Sequence, residues 1–439
     1  MSLTFGTDGV RGVALTELTT DYAARLGCAA ATVLGTGKWL IGRDPRESGP
    51  VLESAVAAGL AAAGAEPVLA GVLPTPALAW LSAQLGVPAA MITASHNPWH
   101  DNGVKVFAAG GLKLADDVER SIEAALHARS DEVSTNLAAV LPTHDGLTAY
   151  VDHLVAAWGL HEDLAGLSIV LDCANGAMTE PAPAAFRALG AHTTVIHDAP
   201  NGRNINEECG ATHTASLSAA VVAAGAQLGL AFDGDGDRVI AVDHTGRVVD
   251  GDRLIALAAL QLREAGELRD NTVVVTVMSN LGFHRAMQAA GINVVTTNVG
   301  DRYVLEALDA GRFSVGGEQS GHIIYRDVAT TGDGLLAGLH LAQFVHGHHR
   351  PLAELAGEVL QRYPQVLVNV KVAERHPRAA DELADEIAAA ERLLHGDGRI
   401  LIRASGTEPL IRVMVEAATD ELAHEVAQGL ADEVAVRFG

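Results

Sequence analysis

The chain has 439 residues, 49% of them hydrophobic, and its 54 acidic and 30 basic side chains give a formal charge of −24. That length allows several domains with full cores, and a bulk field of that sign opposes nucleic acid and anionic membrane, so local arginines would have to meet any phosphorylated ligand. No apolar run approaches the roughly 18 residues that span a bilayer, and the first residues lack the pattern of a signal peptide, so a cytoplasmic protein is expected.

The opening Phe5-Gly6-Thr7-Asp8-Gly9-Val10-Arg11-Gly12 is glycine-rich, and Arg11 reads equally as a surface ion-pair partner or a transition-state cation. Three stretches then share one grammar of strand, alanine-rich helix, glycine and second strand. The first predicts a strand over 39–42, a helix over 51–63, Gly64 and a strand at 68–69. The second places these elements at 169–171, 183–189, Gly190 and 194–196, and the third at 273–275, 282–290, Gly291 and 294–295. Each glycine falls just past a helix end, where left-handed backbone costs least. Spacings above 100 residues are too long for a solenoid and suit three similar α/β domains.

Within the first domain an apolar strand over 89–92 runs into Thr93-Ala94-Ser95-His96-Asn97-Pro98, which holds a hydroxyl at the tip of a sheet. An acyl-transfer triad is disfavoured: Ser95 and His96 are neighbours expected to point apart, and no G-x-S-x-G elbow surrounds them. Taken alone, the run also reads as a capped turn. Lys105 nearby reads as a surface charge or a site cation.

In the second domain Asp233-Gly234-Asp235-Gly236-Asp237-Arg238 follows an apolar run over 228–232. If that strand continued, alternate residues would face one way and bring three carboxylates together. An all-oxygen set favours magnesium (Mg2+) over zinc or copper. A calcium EF-hand is rejected because Arg238 stands at its glycine position and His244 at its twelfth. A solvated acidic turn is the plainer reading. A phosphorylated Ser95 could offer an oxygen to the same cation, which gives the serine and the triplet a reason to converge.

The third domain carries Gly317-Glu318-Gln319-Ser320-Gly321-His322, in which Glu318 and Ser320 suit sugar hydroxyls and Glu318 also suits an amine; by itself it reads as a plain turn. Beyond it, strands over 366–372, 400–402 and 411–415 and helices over 378–394 and 421–436 predict a small α+β domain. Between two of its strands Arg403-Ala404-Ser405-Gly406-Thr407 offers a cation, hydroxyls and free amides for phosphate, with Arg412 as a second cation, or else a hairpin with a structural arginine. The fold expected is therefore three similar mixed-sheet α/β domains, 1–146, 147–249 and 250–364, and a smaller α+β domain, 365–439, around a central cleft. Cys28, Cys173 and Cys209 are too scattered in sequence to suggest disulfides or a thiolate metal site.

In this order, the four runs resemble the α-D-phosphohexomutase family over nearly the whole chain. The resemblance implies that Ser95 is a phosphoserine that binds Mg2+ together with Asp233, Asp235 and Asp237. It implies sugar contacts from Glu318 and Ser320, phosphate contacts from Arg403, Ser405, Gly406, Thr407 and Arg412, and charge-stabilising or proton-transfer roles for Arg11, Lys105 and His322. Glu318-Gln319-Ser320, Ala329-Thr330-Thr331-Gly332-Asp333-Gly334 and Asn204-Ile205-Asn206-Glu207-Glu208-Cys209-Gly210 are similar to the glucosamine branch, which implies exchange of glucosamine 6-phosphate and 1-phosphate through a 1,6-bisphosphate. Val299-Gly300-Asp301-Arg302 departs from the lysine and histidine common in glucose and mannose enzymes and leaves the second acid/base open. The partner expected is a phosphorylated amino sugar, with no nucleic acid or membrane, for a monomer or homodimer. A glucose or mannose phosphomutase, a phosphatase and a non-catalytic sugar-phosphate sensor remain the alternatives.

Overall fold

The structure, a computed structural model, describes residues 3, 9–128, 143–156, 163–405 and 409–439. It divides into two compact units: residues 1–278 with 292–357, and residues 279–291 with 358–439.

The first unit repeats one sheet three times. In each, a first strand pairs in parallel with a second strand on one side and a third on the other, and the third pairs antiparallel with a fourth. In the first sheet these are Lys38–Arg43, Glu66–Val72, Ala89–Ile92 and Asp101–Ala108, with Val10–Val13 added antiparallel beyond the fourth. In the second they are Ser168–Asp172, His192–Ile196, Leu228–Phe232 and Val239–Asp243. In the third they are Thr272–Thr276, Asn293–Thr297, Val315–Gly317 and Ile323–Tyr325. The glycines that mark the repeat, Gly64, Gly190 and Gly291, have φ of 89°, 86° and 69°, a region that a side chain would strain.

The turn from third to fourth strand is the one that matters for function. It carries Ser95 in the first sheet, Asp233, Asp235 and Asp237 in the second, and Glu318 and Ser320 in the third. All three turns leave the carboxyl end of a parallel strand, where the flanking connections diverge and leave room for a ligand. The strands that lead into them explain why those ends are dry: Ala89–Ile92, Leu228–Phe232 and Val315–Gly317 are buried at every position.

The second unit is an antiparallel sheet ordered Gln365–Lys371, Leu410–Ala417, Gly398–Ala404, with Asp420–Phe438 and Ala384–Leu393 packed on it. Ile411, Val413 and Val415 bury one face of the central strand against Val426, Leu430 and Val434. The expected single helix over 378–394 is broken into Ala379–Glu382 and Ala384–Leu393. Leu383 leaves helical geometry at φ −105°, ψ 17°, and its side chain is fully buried.

Helix Gly334–His348, buried on most of its faces, is capped by Asp333, which accepts from Leu336 N at 2.9 Å and from Tyr150 Oη at 2.8 Å. Burial raises the Asp333 carboxyl from 3.8 to about 6 in spite of these hydrogen bonds. A carboxyl raised on folding disfavours its ionised form, so the penalty is absent below about pH 4 and complete above about pH 6. Asp333→Asn keeps the cap and removes the charge. It should stabilise the protein above pH 6 by up to about 3 kcal/mol, with the advantage fading towards pH 4. Melting curves from pH 4 to 8 check this, and a gap that did not vary with pH would contradict it.

Candidate active site

Ser95 stands one turn beyond its strand with a left-handed backbone, φ 52°, and is fully buried. Arg46 holds that geometry. Its guanidinium, also fully buried, pairs with Asp44 at 2.9 Å and donates to the carbonyls of Ser95 (2.8 Å), Asn97 (2.9 Å), Asp101 (3.0 Å) and Pro98. Asn206 Nδ2 reaches the Ser95 and Asn97 carbonyls from the second sheet's loop, at 2.9 and 3.0 Å. On the other side Ser95 N donates to Thr93 Oγ1, which donates in turn to Asp44. With its backbone tied this way, the Ser95 hydroxyl faces the second sheet and donates to Asp233 Oδ2 at 2.6 Å.

The acidic triplet does not continue its strand: the backbone turns between Phe232 and Val239, so it is the turn, not the pleat, that gathers the carboxylates. Gly234 allows the approach of the serine loop, since a Cβ there would lie 2.6 Å from the Ser95 carbonyl oxygen. Asp233, Asp235 and Asp237 are 0–2% exposed and each offers an oxygen within 4.8 Å of the others. Repulsion between two such charges is of order 4 kcal/mol at this range. Lys105, itself buried, donates to Asp235 and Asp237 at 2.8 Å each and cancels one charge; Thr75 Oγ1 adds a bond to Asp235 at 2.6 Å.

The protonation states divide accordingly. Burial, then the Asp237 and Asp235 charges, push Asp233 well above the usual carboxylate range. Burial opposes ionisation of Asp237 as well, but Lys105 and His322 outweigh it and hold Asp237 well below that range. Oδ1 of Asp235 and Oδ1 of Asp237 make no hydrogen bond. Carboxylate oxygens without hydrogen bonds in a dry, acidic site fit a hard cation with oxygen ligands.

Around this centre, His96 Nδ1 lies 3.4 Å from Ser95 Oγ, so the two neighbours do not point apart as expected. The left-handed turn at Ser95 brings them together. Burial, then the Arg238 and Arg11 charges, lower His96 to about 4 and keep the ring neutral. Arg11 lies on strand Val10–Val13 opposite Gly103. From the third sheet, His322 Nδ1 is 3.7 Å from Asp237 and its Nε2 accepts from Gly332 N at 3.0 Å. Asp301 is 3.5 Å from the same ring and pairs with Lys113, while Arg302 pairs with Asp116 and Glu119. Glu318 Oε1 accepts from Gly300 N at 3.1 Å, and Ser320 Oγ is buried with no hydrogen-bond partner. The three turns therefore meet inside the first unit.

In the second unit Arg403 and Arg412 face each other directly across antiparallel strands. Burial, then the Arg412 charge, lower Arg403 from its ordinary value. Like charges at directly opposed sheet positions repel, and an anion would relieve them. Ser405 closes the end of that ladder by donating its N–H to Leu410 O. Gly406 and Thr407 lie outside the described residues.

Sequence reading missed Asp44, Arg46, Thr93, Thr75 and Asn206, which position the reacting groups rather than resemble them. The one available signal was the charge-rich Arg43-Asp44-Pro45-Arg46 directly after an apolar strand.

Family models describe the chain in four parts as phosphoglucomutase/phosphomannomutase α/β/α domains I, II and III, at residues 2–133, 148–246 and 250–363, and a C-terminal domain at 367–433. A phosphoglucosamine mutase of Rhodococcus opacus is 52% identical, over 99% of this chain and all of that protein. Among solved structures, a phosphoglucomutase/phosphomannomutase family protein from Burkholderia thailandensis aligns at TM-score 0.82 and 24% identity, covering 98% of this chain and 97% of that one. An N-acetylphosphoglucosamine mutase of Aspergillus fumigatus, in complex with GlcNAc-6P and magnesium, aligns at TM-score 0.74 and 20% identity, covering 100% and 96%.

Arg46→Met should cost about 3–5 kcal/mol, because it strands Asp44 as a buried charge and frees the carbonyls that orient Ser95. Urea unfolding reads this directly; an unchanged midpoint would mean that other contacts hold the loop.

Proposed function

The chain belongs to the phosphoglucomutase/phosphomannomutase family, the α-D-phosphohexomutases, and from that premise we propose that it interconverts glucosamine 6-phosphate and glucosamine 1-phosphate. The observation that carries this reading is the Ser95 hydroxyl 2.6 Å from Asp233, in a buried cluster that also holds Asp235, Asp237 and Lys105. A phosphoryl-transfer site gives a serine, a carboxylate triplet and a lysine one shared purpose. Choice of the amino sugar rests on Glu318 as the group facing an amine and on the name carried by full-length relatives.

In this mechanism Ser95 enters as its phosphate ester. The free hydroxyl of the sugar attacks phosphorus, the bond from phosphorus to Ser95 Oγ breaks, and a sugar 1,6-bisphosphate forms. The hydroxyl proton passes to a neutral imidazole. That base must face the sugar hydroxyl, across phosphorus from Ser95 Oγ, which takes up a proton as it leaves. His96 stands 3.4 Å from Ser95 Oγ and so serves the serine end, and His322, to act at the sugar end, would first have to release the Gly332 N–H that its Nε2 accepts. With Nε2 accepting from Gly332, His322 is neutral and turns its Nδ1 towards Asp237 at 3.7 Å. The bisphosphate then turns over and returns its other phosphoryl group to Ser95.

Lys105 and Arg11 oppose the charge on the moving phosphoryl group. Arg403 and Arg412, with the loop over 405–407, hold the phosphate that is not reacting, so binding energy far from the reaction serves orientation. Magnesium is the cation we assign to Asp233, Asp235, Asp237 and the Ser95 oxygen, and when bound it supplies charge neutralisation to the phosphoryl group. Among the described residues no helix is long and apolar enough to cross a membrane, and we assign the protein to the cytoplasm.

Ser95→Ala should fold normally yet show no turnover of glucosamine 6-phosphate in a coupled assay; wild-type rates would remove the nucleophile from the account. Asp235→Asn should raise the magnesium concentration for half-maximal rate at least about tenfold. Arg403→Ala should raise KM for glucosamine 6-phosphate roughly 10- to 100-fold with a smaller effect on kcat, the loss expected for a charged hydrogen bond to a non-reacting group. An unaltered KM would discount that loop. A higher kcat/KM on glucose or mannose phosphates than on glucosamine phosphate would reassign the substrate.

A further inference from the structure

A second cluster of ligand-type side chains stands at the carboxyl edge of the second sheet, one strand over from the acidic triplet, where Asp172 pairs with Ala231. Asp172 ends strand Ser168–Asp172, and His197 directly follows the parallel strand His192–Ile196, whose Ile196 pairs with Asp172. Cys209 arrives on the loop 204–210, which is anchored to Asp172 by Gly210 N at 3.0 Å. The three side chains each bring a donor atom within 4.8 Å of the others. His197 Nδ1 is 3.1 Å from Asp172 Oδ1, yet the buried nitrogen makes no hydrogen bond. The backbone around the cluster is left-handed at Ala174, Asn175, His197, Asn206 and Glu208.

We infer that Asp172, His197 and Cys209 form a second metal site, for a thiophilic divalent cation of the zinc type. Thiolate and imidazole together select such an ion over magnesium, and a tetrahedral ion with bonds of about 2.0–2.3 Å spans ligand pairs roughly 3.3–3.7 Å apart, within reach of small side-chain rotations here. His197 is part exposed, which leaves an entry path and a fourth position for water. The ligating thiol sheds its proton to solvent on binding. The loop that supplies Cys209 also supplies Asn206, which holds the Ser95 and Asn97 carbonyls, so occupancy bears on the serine loop.

Cobalt(II) is the probe, because its thiolate charge-transfer band in the near ultraviolet reports sulfur ligation whatever the acidic triplet binds. Metal-stripped full-length protein titrated with cobalt should develop the band at one equivalent, and zinc should bleach it. Cys209→Ser should abolish the band, His197→Gln should raise the half-saturating cobalt concentration at least about tenfold, and Cys173→Ser and Asp235→Asn should leave it in place. No band at stoichiometric cobalt, or a band that survives Cys209→Ser, would overturn the inference. If Cys209→Ser does not fold, His197→Gln decides: an unchanged titration would overturn it.

Discussion

The constraint on which the rest depends is electrostatic. Three carboxylates share a space from which water is excluded, with one lysine in hydrogen-bonding contact with two of them. Each buried pair costs several kcal/mol, too much for a turn with no other purpose. The structure answers with compensation from neighbouring sheets: Lys105 from the first and His322 from the third, beside the hydroxyl of Ser95. What these groups leave is a dry, acidic set of oxygens that suits a divalent cation.

Repetition makes that convergence possible. Each of the three sheets in the first unit bends back at the same place, from its last parallel strand to its antiparallel neighbour, and each bend holds one part of the site. Equivalent loops thereby acquire different chemistry: a group carrier, a set of charged ligands and a polar loop suited to a sugar. Ion pairs beside the His322 ring, Lys113 to Asp301 and Arg302 to Asp116 and Glu119, join the first and third sheets. They fall in the stretch where the sequence departs from glucose and mannose enzymes.

The repeat was legible because hydrophobic period and helix-ending glycines are local signals, and the observed helices begin and end within two residues of the expected ones. The candidate site residues were legible as residue types. Their geometry was less so: the triplet converges through a turn, and Ser95 meets His96 because its backbone is left-handed, which no residue-type pattern announced. The role of Arg46 was hidden for a different reason. A buried arginine bound to four carbonyls and a surface arginine have the same local sequence, and only the tertiary fold tells them apart. Leu383 likewise breaks an otherwise helical pattern in order to bury its side chain.

The central claim is that Ser95 carries a phosphoryl group to and from a sugar and does not release it to water. A single turnover of enzyme labelled with ³²P at Ser95, mixed with unlabelled glucosamine 6-phosphate and quenched on the millisecond scale, tests it most directly. The account predicts that label leaves the protein as hexosamine bisphosphate and then appears in hexosamine monophosphate, with little inorganic phosphate. Label released chiefly as inorganic phosphate, or retained on the protein through complete turnover of substrate, would contradict it.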